Sequence, residues 1–322
     1  MFMILAIHIN VENVLPNSLL LKINYGVACI GIPLFFMVSG YLFSRKDIDL
    51  TYIKMKIQKI FIFVIQTCTL VISILCIFDI IRYNHIRSLD TLLFSYLSWI
   101  IQKGVMSHYW YFASMIIIYF LLQGLVRIIN SKYFGYTILG LIIVSFLFFL
   151  LDCFYSFERV YIPQTIRLWY WLMYFFIGAY IRLNDKLFER IKWPLALFMS
   201  GLYTVFQIIT QNALEEKLGH LGNEFFFGSI FCMFYAVSVF CSCINNHNAN
   251  NDIICSYLSR LFLPVYAFHI LIYRFLKQLT QMIIGIEPNA DYVIILIVYV
   301  CITLTVCIFL MKIPKFKNIM RI

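Results

Sequence analysis

Residues 26–43 read GVACIGIPLFFMVSGYLF, eighteen residues without a charged side chain. A helix needs about 20 mostly apolar residues to cross the ~30 Å hydrocarbon layer, so this run is nearly long enough by itself. The rest of the chain is similar, because 63% of its 322 residues are hydrophobic and only 12% are charged. A soluble domain is about half apolar and a quarter charged, so this composition excludes a water-soluble globule, a disordered chain and a disulfide scaffold. The sequence predicts an integral membrane protein.

Further apolar runs predict an all-α, polytopic transmembrane helix bundle with about ten spans. We place the spans near 26–43, 60–81, 109–126, 135–151, 168–181, 194–210, 225–244, 261–281 and 292–311, with an incomplete first span at 1–9. The run at 92–101 is too short to cross, so we predict that it is re-entrant or interfacial. Without an internal repeat or a soluble domain, residues 1–322 are interpreted as one integral-membrane domain.

The loops between these runs predict the orientation of the chain. Alternate connections, at 45–59, 127–132, 182–192, 245–260 and 312–321, hold 16 of the 25 basic residues but only 5 of the 15 acidic residues. Lys and Arg concentrate in cytoplasmic loops, so both termini are predicted to face the cytoplasm. The same distribution explains the net charge of +10 as membrane topology, and we therefore expect no nucleic acid partner.

The ten cysteines give no indication of a metal site or of a disulfide framework. They lie singly within apolar runs, apart from the Cys241/Cys243 pair, and show no zinc-ligand spacing. We interpret them as reduced residues that pack against lipid or other helices. We expect no metal and no permanently bound cofactor.

Ionisable residues within spans are costly unless they face a cavity or a partner, so each one is a functional candidate. His8, His108 and His269 are candidates of this kind. Each also has a structural explanation: His8 as an interfacial residue, His108 as part of an aromatic belt, and His269 as a helix-packing residue. Histidine titrates near neutrality, so it can take a proton from a hydroxyl and return it. If the chain is an enzyme, we expect direct transfer to a bound acceptor with histidine as the base.

The connection after the 26–43 run is strongly basic, beginning with Arg45 and Lys46. Membrane topology alone can account for these residues. The functional alternative is an electropositive mouth that receives an anionic, phosphorylated cofactor such as coenzyme A.

Four segments resemble signatures of the acyltransferase-3 family of multi-pass membrane O-acyltransferases. GIPLFFMVSGYLF (31–43) is similar to the family's VPLFFxxSGYLL, and HYWYFASMIIIYFL (108–121) to its HLWFL…YL segment. YLSRLFLPVYAFHILIYRFL (257–276) resembles LSxxSxxIYLxH, with His269 on the matching histidine, and RLWYWLMYFFIGAYI (167–181) resembles YFxxGxxI. The order and spacing agree over almost the whole chain, and the branch that O-acetylates cell-envelope glycans is the most similar.

The resemblance implies transfer of an acyl group, usually acetyl, from cytoplasmic acetyl-CoA to a hydroxyl of a cell-envelope polysaccharide or its lipid-linked precursor. The protein would then lie in the bacterial cytoplasmic (inner) membrane. His8 would be the general base or part of a relay through the membrane. His108 and Trp110 would shape the outer mouth, where the indole can stack on a sugar, and His269 would be a second relay or orienting group.

The resemblance also suggests the residues that bind substrate. Arg45 and Lys46 would contact the phosphates of the acyl-CoA donor. Ser39, Tyr41 and Tyr266 would hydrogen-bond or pack inside the cavity that holds the glycan acceptor, although Ser39 also fits a close helix contact.

The first helix departs from the family pattern. The family carries an arginine about ten residues before the histidine that His8 matches, and that position would precede Met1. We expect an upstream start rather than a truncation. Two alternatives stay open: a non-catalytic glycan exporter, flippase or small-solute transporter, which would show inverted repeats that we do not find, and an inactive paralogue.

Overall fold

A computed structural model describes residues 19–44, 48–84, 88–102, 106–155, 161–218, 223–246, 252–284 and 292–319, together with residues 3, 5 and 6. Within these residues every element of regular structure is a helix. The all-α prediction is confirmed for this part of the chain.

The helices follow one another with short connections. They are α1 (Leu19–Ala28), α2 (Gly31–Phe43), α3 (Leu50–Tyr83), α4 (Leu89–Ile101), α5 (Trp110–Ile129), α6 (Phe134–Tyr155), α7 (Leu168–Leu183), α8 (Asp185–Phe188), α9 (Trp193–Leu218), α10 (Ile230–Asn245), α11 (Asp252–Ile284), α12 (Tyr292–Lys312) and α13 (Pro314–Ile319). In the described part of the chain, 3₁₀ turns lie at Ser107–Tyr109, Gln164–Ile166 and Asn223–Phe226.

Five described segments are long and apolar enough to cross a membrane. They are Gly26–Phe43, Leu50–Ile81, Ser107–Ile129, Phe134–Tyr155 and Trp193–Leu214. These segments establish a multi-pass membrane protein, whereas the predicted total of ten spans and the cytoplasmic position of both termini stay predictions. Helix α4 has 13 residues, about 20 Å of helix, which agrees with the expectation that this run is too short to cross.

Several predicted boundaries were too narrow because polar residues extend the helices. Helix α3 begins at Leu50, ten residues before the predicted span, and the Asp49 carboxylate caps it by accepting from the Tyr52 backbone N–H at 2.7 Å. Low hydropathy assigns the basic first turns of α3 to a loop. Lys and Arg are nevertheless good helix formers, so the helix extends through them.

The chain forms two compact units, each assembled from separate parts of the sequence. The first unit comprises Met1–Lys46, Val126–Tyr161 and Trp169–Ile308, and the second comprises Asp47–Leu125, Ile162–Leu168 and Phe309–Ile322. The single-domain interpretation of residues 1–322 stays a prediction.

Helix α7 is the centre of the first unit, because residues on all of its faces are buried. Trp171 stacks on Phe36 of α2 at 4.8 Å, and the Tyr174 hydroxyl donates to the Phe227 carbonyl at 2.8 Å. A helix that is apolar on every face is either surrounded by other helices or exposed to lipid, and the burial of residues on every face of α7 places it among other helices. The aromatic composition of this helix therefore reflects its position in the core of the unit.

Two glycines let α2 and α7 approach backbone to backbone. A Cβ atom on Gly40 would overlap the Phe175 carbonyl, and one on Gly178 would overlap the Met37 carbonyl. Small residues allow this approach in membrane proteins, where close packing replaces the missing hydrophobic drive between helices. The crossing therefore fixes how the ends of α2 and α7 lie against each other.

Candidate functional site

His269 lies on α11 in the first unit and is completely buried, with 0% of its surface exposed. Its Nδ1 atom lies 2.8 Å from the Tyr266 carbonyl oxygen and 3.2 Å from the Val265 carbonyl oxygen. Carbonyl oxygens only accept hydrogen bonds, so Nδ1 carries the proton of the neutral ring. Nε2 then holds the lone pair, which is the state that a general base requires.

Two tyrosines hold the turn of α11 that contains His269. The Tyr299 hydroxyl of α12 donates to the His269 carbonyl at 2.9 Å, and the Tyr299 ring lies edge-on to Tyr273 at 5.4 Å. The Tyr266 ring, a predicted substrate contact, is buried 5.9 Å from the imidazole. Tyr299 thus holds the backbone of this turn and Tyr266 packs beside the imidazole, and a fixed ring orientation is what proton transfer needs.

Ser39 and Tyr41 lie on α2 in the same unit. The Ser39 hydroxyl donates to the Phe35 carbonyl at 2.9 Å, within its own helix. Tyr41 accepts a 2.7 Å hydrogen bond from Nη1 of Arg182, whose guanidinium carbon lies 4.7 Å from the centroid of the Tyr41 ring. The glycine crossing produces this pair, because Tyr41 follows Gly40 and Arg182 lies one turn after Gly178.

The segment that follows α7 is held by α10. The Asn245 side-chain amide donates to the carbonyls of Phe188 and Ile191 at 2.6 and 3.0 Å, and Lys192 donates to the Asn245 carbonyl at 3.1 Å. Residues 182–192, which include Arg182 and Lys192, hold four basic and two acidic side chains, so this end of the first unit carries a net positive charge. Sequence reasoning counted both residues only as topology signals.

His108 and Trp110 lie in the second unit, at the start of α5. His108 is in the 3₁₀ turn Ser107–Tyr109 and is 6% exposed, and Trp110 is equally buried. The imidazole lies edge-on to the Tyr109 ring at 4.6 Å, and Tyr109 in turn stacks on Phe63 of α3 at 6.3 Å. His108 is therefore positioned by aromatic packing of its neighbour rather than by a long helix.

The segment just before α7 packs into the same unit. The Ser114 hydroxyl donates to the Thr165 carbonyl at 2.9 Å, the Thr165 hydroxyl donates to the Ile100 carbonyl at 2.9 Å, and the Gln164 N–H donates to the Gln102 side-chain oxygen at 2.8 Å. These hydrogen bonds join the end of α4, the first turns of α5 and the 3₁₀ turn Gln164–Ile166. They order the backbone beside the first turns of α5, which follow the 3₁₀ turn that carries His108.

Sequence reasoning missed two buried charged groups. Arg167 of the second unit is 3% exposed, and its Nε donates to the Ile162 carbonyl at 2.9 Å. Asp152 of the first unit is 1% exposed and lies within α6, one residue beyond the predicted end of that span. The sequence did contain a signal for both residues, because each is an ionisable residue directly next to an apolar run. The predicted spans ended one residue too early or began one residue too late, so neither residue was considered as a buried candidate.

His8, Arg45 and Lys46 lie outside the described residues. Their proposed roles as base and as phosphate contacts stay predictions. His108 and His269 belong to different units, and each is described within its own unit. Among the described residues, no group of three or more His, Cys, Asp or Glu side chains is arranged to hold a metal ion.

The family model described as "Acyltransferase domain", that of the acyltransferase-3 family, matches residues 1–312. The chain belongs to the acyltransferase-3 family. No curated protein and no solved structure matches the chain. Membership confirms the resemblance and implies acyltransferase activity in general, and the apolar helices make this member a multi-pass membrane protein.

Proposed function

We propose that this acyltransferase-3 member is an O-acyltransferase of the bacterial cytoplasmic membrane. It takes an acetyl group from acetyl-CoA and places it on a hydroxyl of a cell-envelope glycan or its lipid-linked precursor. The observation that carries the proposal is the environment of His269: a buried imidazole in an acyltransferase chain, held in the tautomer that leaves Nε2 able to accept a proton.

The proposed reaction is a direct acyl transfer. Nε2 of His269 takes the proton of the acceptor hydroxyl as its oxygen attacks the thioester carbonyl carbon. The resulting tetrahedral oxyanion collapses, the carbon–sulfur bond breaks, and the imidazolium returns the proton to the departing thiolate. The products are the glycan ester and coenzyme A, and His269 ends the cycle neutral.

This proposal gives His269 the role of base that the sequence assigned first to His8. The support is the local geometry, because the carbonyls of Val265 and Tyr266 select the reactive tautomer. His8 keeps its predicted part in a relay through the membrane. His108 and Trp110 keep their predicted part at the outer mouth, where an indole face can stack on the glycan.

The donor enters, in this proposal, at the positively charged end that carries Arg182 and Lys192. A guanidinium binds phosphate oxygens through paired N–H donors, and the neutral Tyr41 phenol orients Arg182 without neutralising it. The predicted phosphate contacts Arg45 and Lys46 lie within five residues of Tyr41 in the sequence, and the proposal keeps their predicted role.

The test is acyl transfer by the purified full chain in proteoliposomes. Acetyl-CoA labelled in the acetyl group is supplied with a lipid-linked glycan, coenzyme A release is followed with a thiol reagent, and the ester is located by mass spectrometry. We expect labelled O-acetyl ester and coenzyme A in equal amounts.

Two results would contradict this function. Coenzyme A release without ester formation would indicate hydrolysis rather than transfer. Movement of glycan across the bilayer with no acetyl-CoA consumption would instead support the exporter alternative.

A further inference from the structure

Thr303 of α12 carries a buried hydroxyl that lacks a hydrogen-bond partner among the described residues. The residue is 0% exposed, and it lies in a buried stripe formed with Tyr299 and Cys307, four residues to either side. A threonine within a helix usually bonds the carbonyl of the preceding turn, as Thr305 does by donating to Cys301 at 2.8 Å. A buried hydroxyl without this bond is costly and calls for an explanation.

The connection between α11 and α12 is too short for the two helices to run parallel. Tyr299, seven residues into α12, contacts His269, fifteen residues before the end of α11. In a parallel pair the end of α11 and the start of α12 would be about 33 Å apart along the axis. The chain between Ile284 and Tyr292 reaches at most about 29 Å, so the helices are antiparallel.

Antiparallel packing sets the level of Thr303. Thr303 lies one turn after Tyr299 on α12. In an antiparallel pair, the level of Thr303 therefore corresponds to the residue one turn before His269 on α11, which is Val265. A helical side chain lies over the turn that precedes its own Cα, and the Nδ1 contacts with Val265 and Tyr266 show that His269 does so. The imidazole and the Thr303 hydroxyl are therefore at the same level of neighbouring helices.

We propose that Thr303 is a catalytic residue whose hydroxyl stabilises the oxyanion of the acyl transfer. This inference rests on the proposed function. When the acceptor oxygen attacks and Nε2 of His269 takes its proton, the carbonyl oxygen of the thioester becomes negatively charged. The Thr303 O–H donates a hydrogen bond to that oxygen, and it releases the bond when the carbon–sulfur bond breaks and the carbonyl reforms. A hydrogen-bond donor in a water-excluded interior stabilises a developing negative charge more strongly than it would in water, because the local dielectric constant is low.

The decisive variant is Thr303→Val, which keeps the branched shape and removes only the hydroxyl. We expect kcat to fall about 10²- to 10³-fold, the usual loss of one oxyanion donor, with the KM for acetyl-CoA changed less than about twofold. Thr303→Ser should recover most of kcat because it restores the donor. Thr305→Val is the matched control on the same helix and should retain wild-type kcat.

Each outcome has a clear consequence. Wild-type kcat in Thr303→Val overturns the assignment alone, and so does a Thr303→Ser variant as slow as Thr303→Val, because shape rather than hydrogen bonding would then matter. If Thr303→Val fails to accumulate in the membrane, Thr303→Cys supplies a weaker donor, and wild-type kcat in that variant overturns the assignment. Absence of transfer by the wild-type chain overturns the proposed function and this assignment together.

Discussion

The two described histidines of this acyltransferase are both buried, but their surroundings differ. His269 lies in the middle of a 33-residue helix, where the carbonyls of the preceding turn hold Nδ1. His108 lies in a three-residue 3₁₀ turn, where the ring of Tyr109 packs against it and tertiary hydrogen bonds order the nearby backbone. The helix therefore directs Nδ1 to backbone carbonyls, whereas the turn fixes the position of the ring.

This difference suggests a division of labour. A base must present one defined nitrogen, and the i−3 and i−4 carbonyls of a helix select it without any distant residue. A residue that contacts an acceptor needs a shaped surface more than a defined tautomer, and aromatic packing supplies that surface. The comparison therefore predicts effects on kcat at His269 and on KM at His108.

The largest expected effect is that of His269→Asn. The asparagine amide occupies the position of Nδ1 and can still donate to the Tyr266 carbonyl, but the variant has no Nε2. General-base catalysis contributes about 10²- to 10⁴-fold, so we expect kcat to fall by that factor while the chain still inserts and folds. Steady-state kinetics in proteoliposomes, with thermal unfolding as the folding control, would measure this. A kcat within twofold of wild type would remove His269 from the chemistry.

A smaller effect is expected for His108→Phe, which keeps a ring beside Tyr109 and removes both nitrogens. One neutral hydrogen bond is worth about 0.5–1.5 kcal/mol, so the KM for the glycan acceptor should rise about 2- to 10-fold with kcat nearly unchanged. Varying the acceptor concentration at saturating acetyl-CoA separates the two constants. A loss confined to kcat would instead place His108 in proton transfer, and the proposed division of labour would be wrong.

The smallest effects concern the two hydrogen bonds that support the histidine segments. Ser114→Ala removes the hydroxyl that donates to the Thr165 carbonyl. Because this carbonyl lies in a 3₁₀ turn rather than in a long helix, we expect the free energy of unfolding to fall by about 1 kcal/mol. Tyr299→Phe removes the donor to the His269 carbonyl, which α11 already satisfies, so we expect about 0.6 kcal/mol. Thermal unfolding of the two variants side by side gives the order, and a larger loss for Tyr299→Phe would show that the helix turn at His269 depends on α12.

Much of the architecture was predictable because it depends on local composition. The predicted span at 26–43 agrees with Gly26–Phe43, the apolar run at 168–181 agrees with the bounds of helix α7, and the run at 92–101 forms the short helix α4. The amphipathic start of α3 was missed, because a basic turn that continues a helix has the hydropathy of a loop. The family was also recognisable, since its motifs are contiguous segments of sequence.

The candidate site was predictable in its residue types but not in its contacts. Sequence reasoning selected His269 and Tyr41, yet the partners that define them are Tyr299 and Arg182, which lie 30 and 141 residues away. Asp152 was overlooked because the predicted span ended one residue before it, so it was counted as a loop residue although it lies within α6. Thr303 was overlooked because a single hydroxyl barely changes the hydropathy of a helix.

The sequence by itself determined that this chain is a helical membrane protein of the acyltransferase-3 family, and it predicts that a histidine is the base. Only the tertiary structure decided which helix faces meet, which distant partners hold Tyr41 and the His269 turn, and which hydroxyls are buried. The reason is the solvent: lipid tails are as apolar as a protein core, so the lipid-facing and inward-facing sides of a spanning helix have similar composition. In water, periodicity indicates which face is buried, but in a bilayer that information comes from the packing itself.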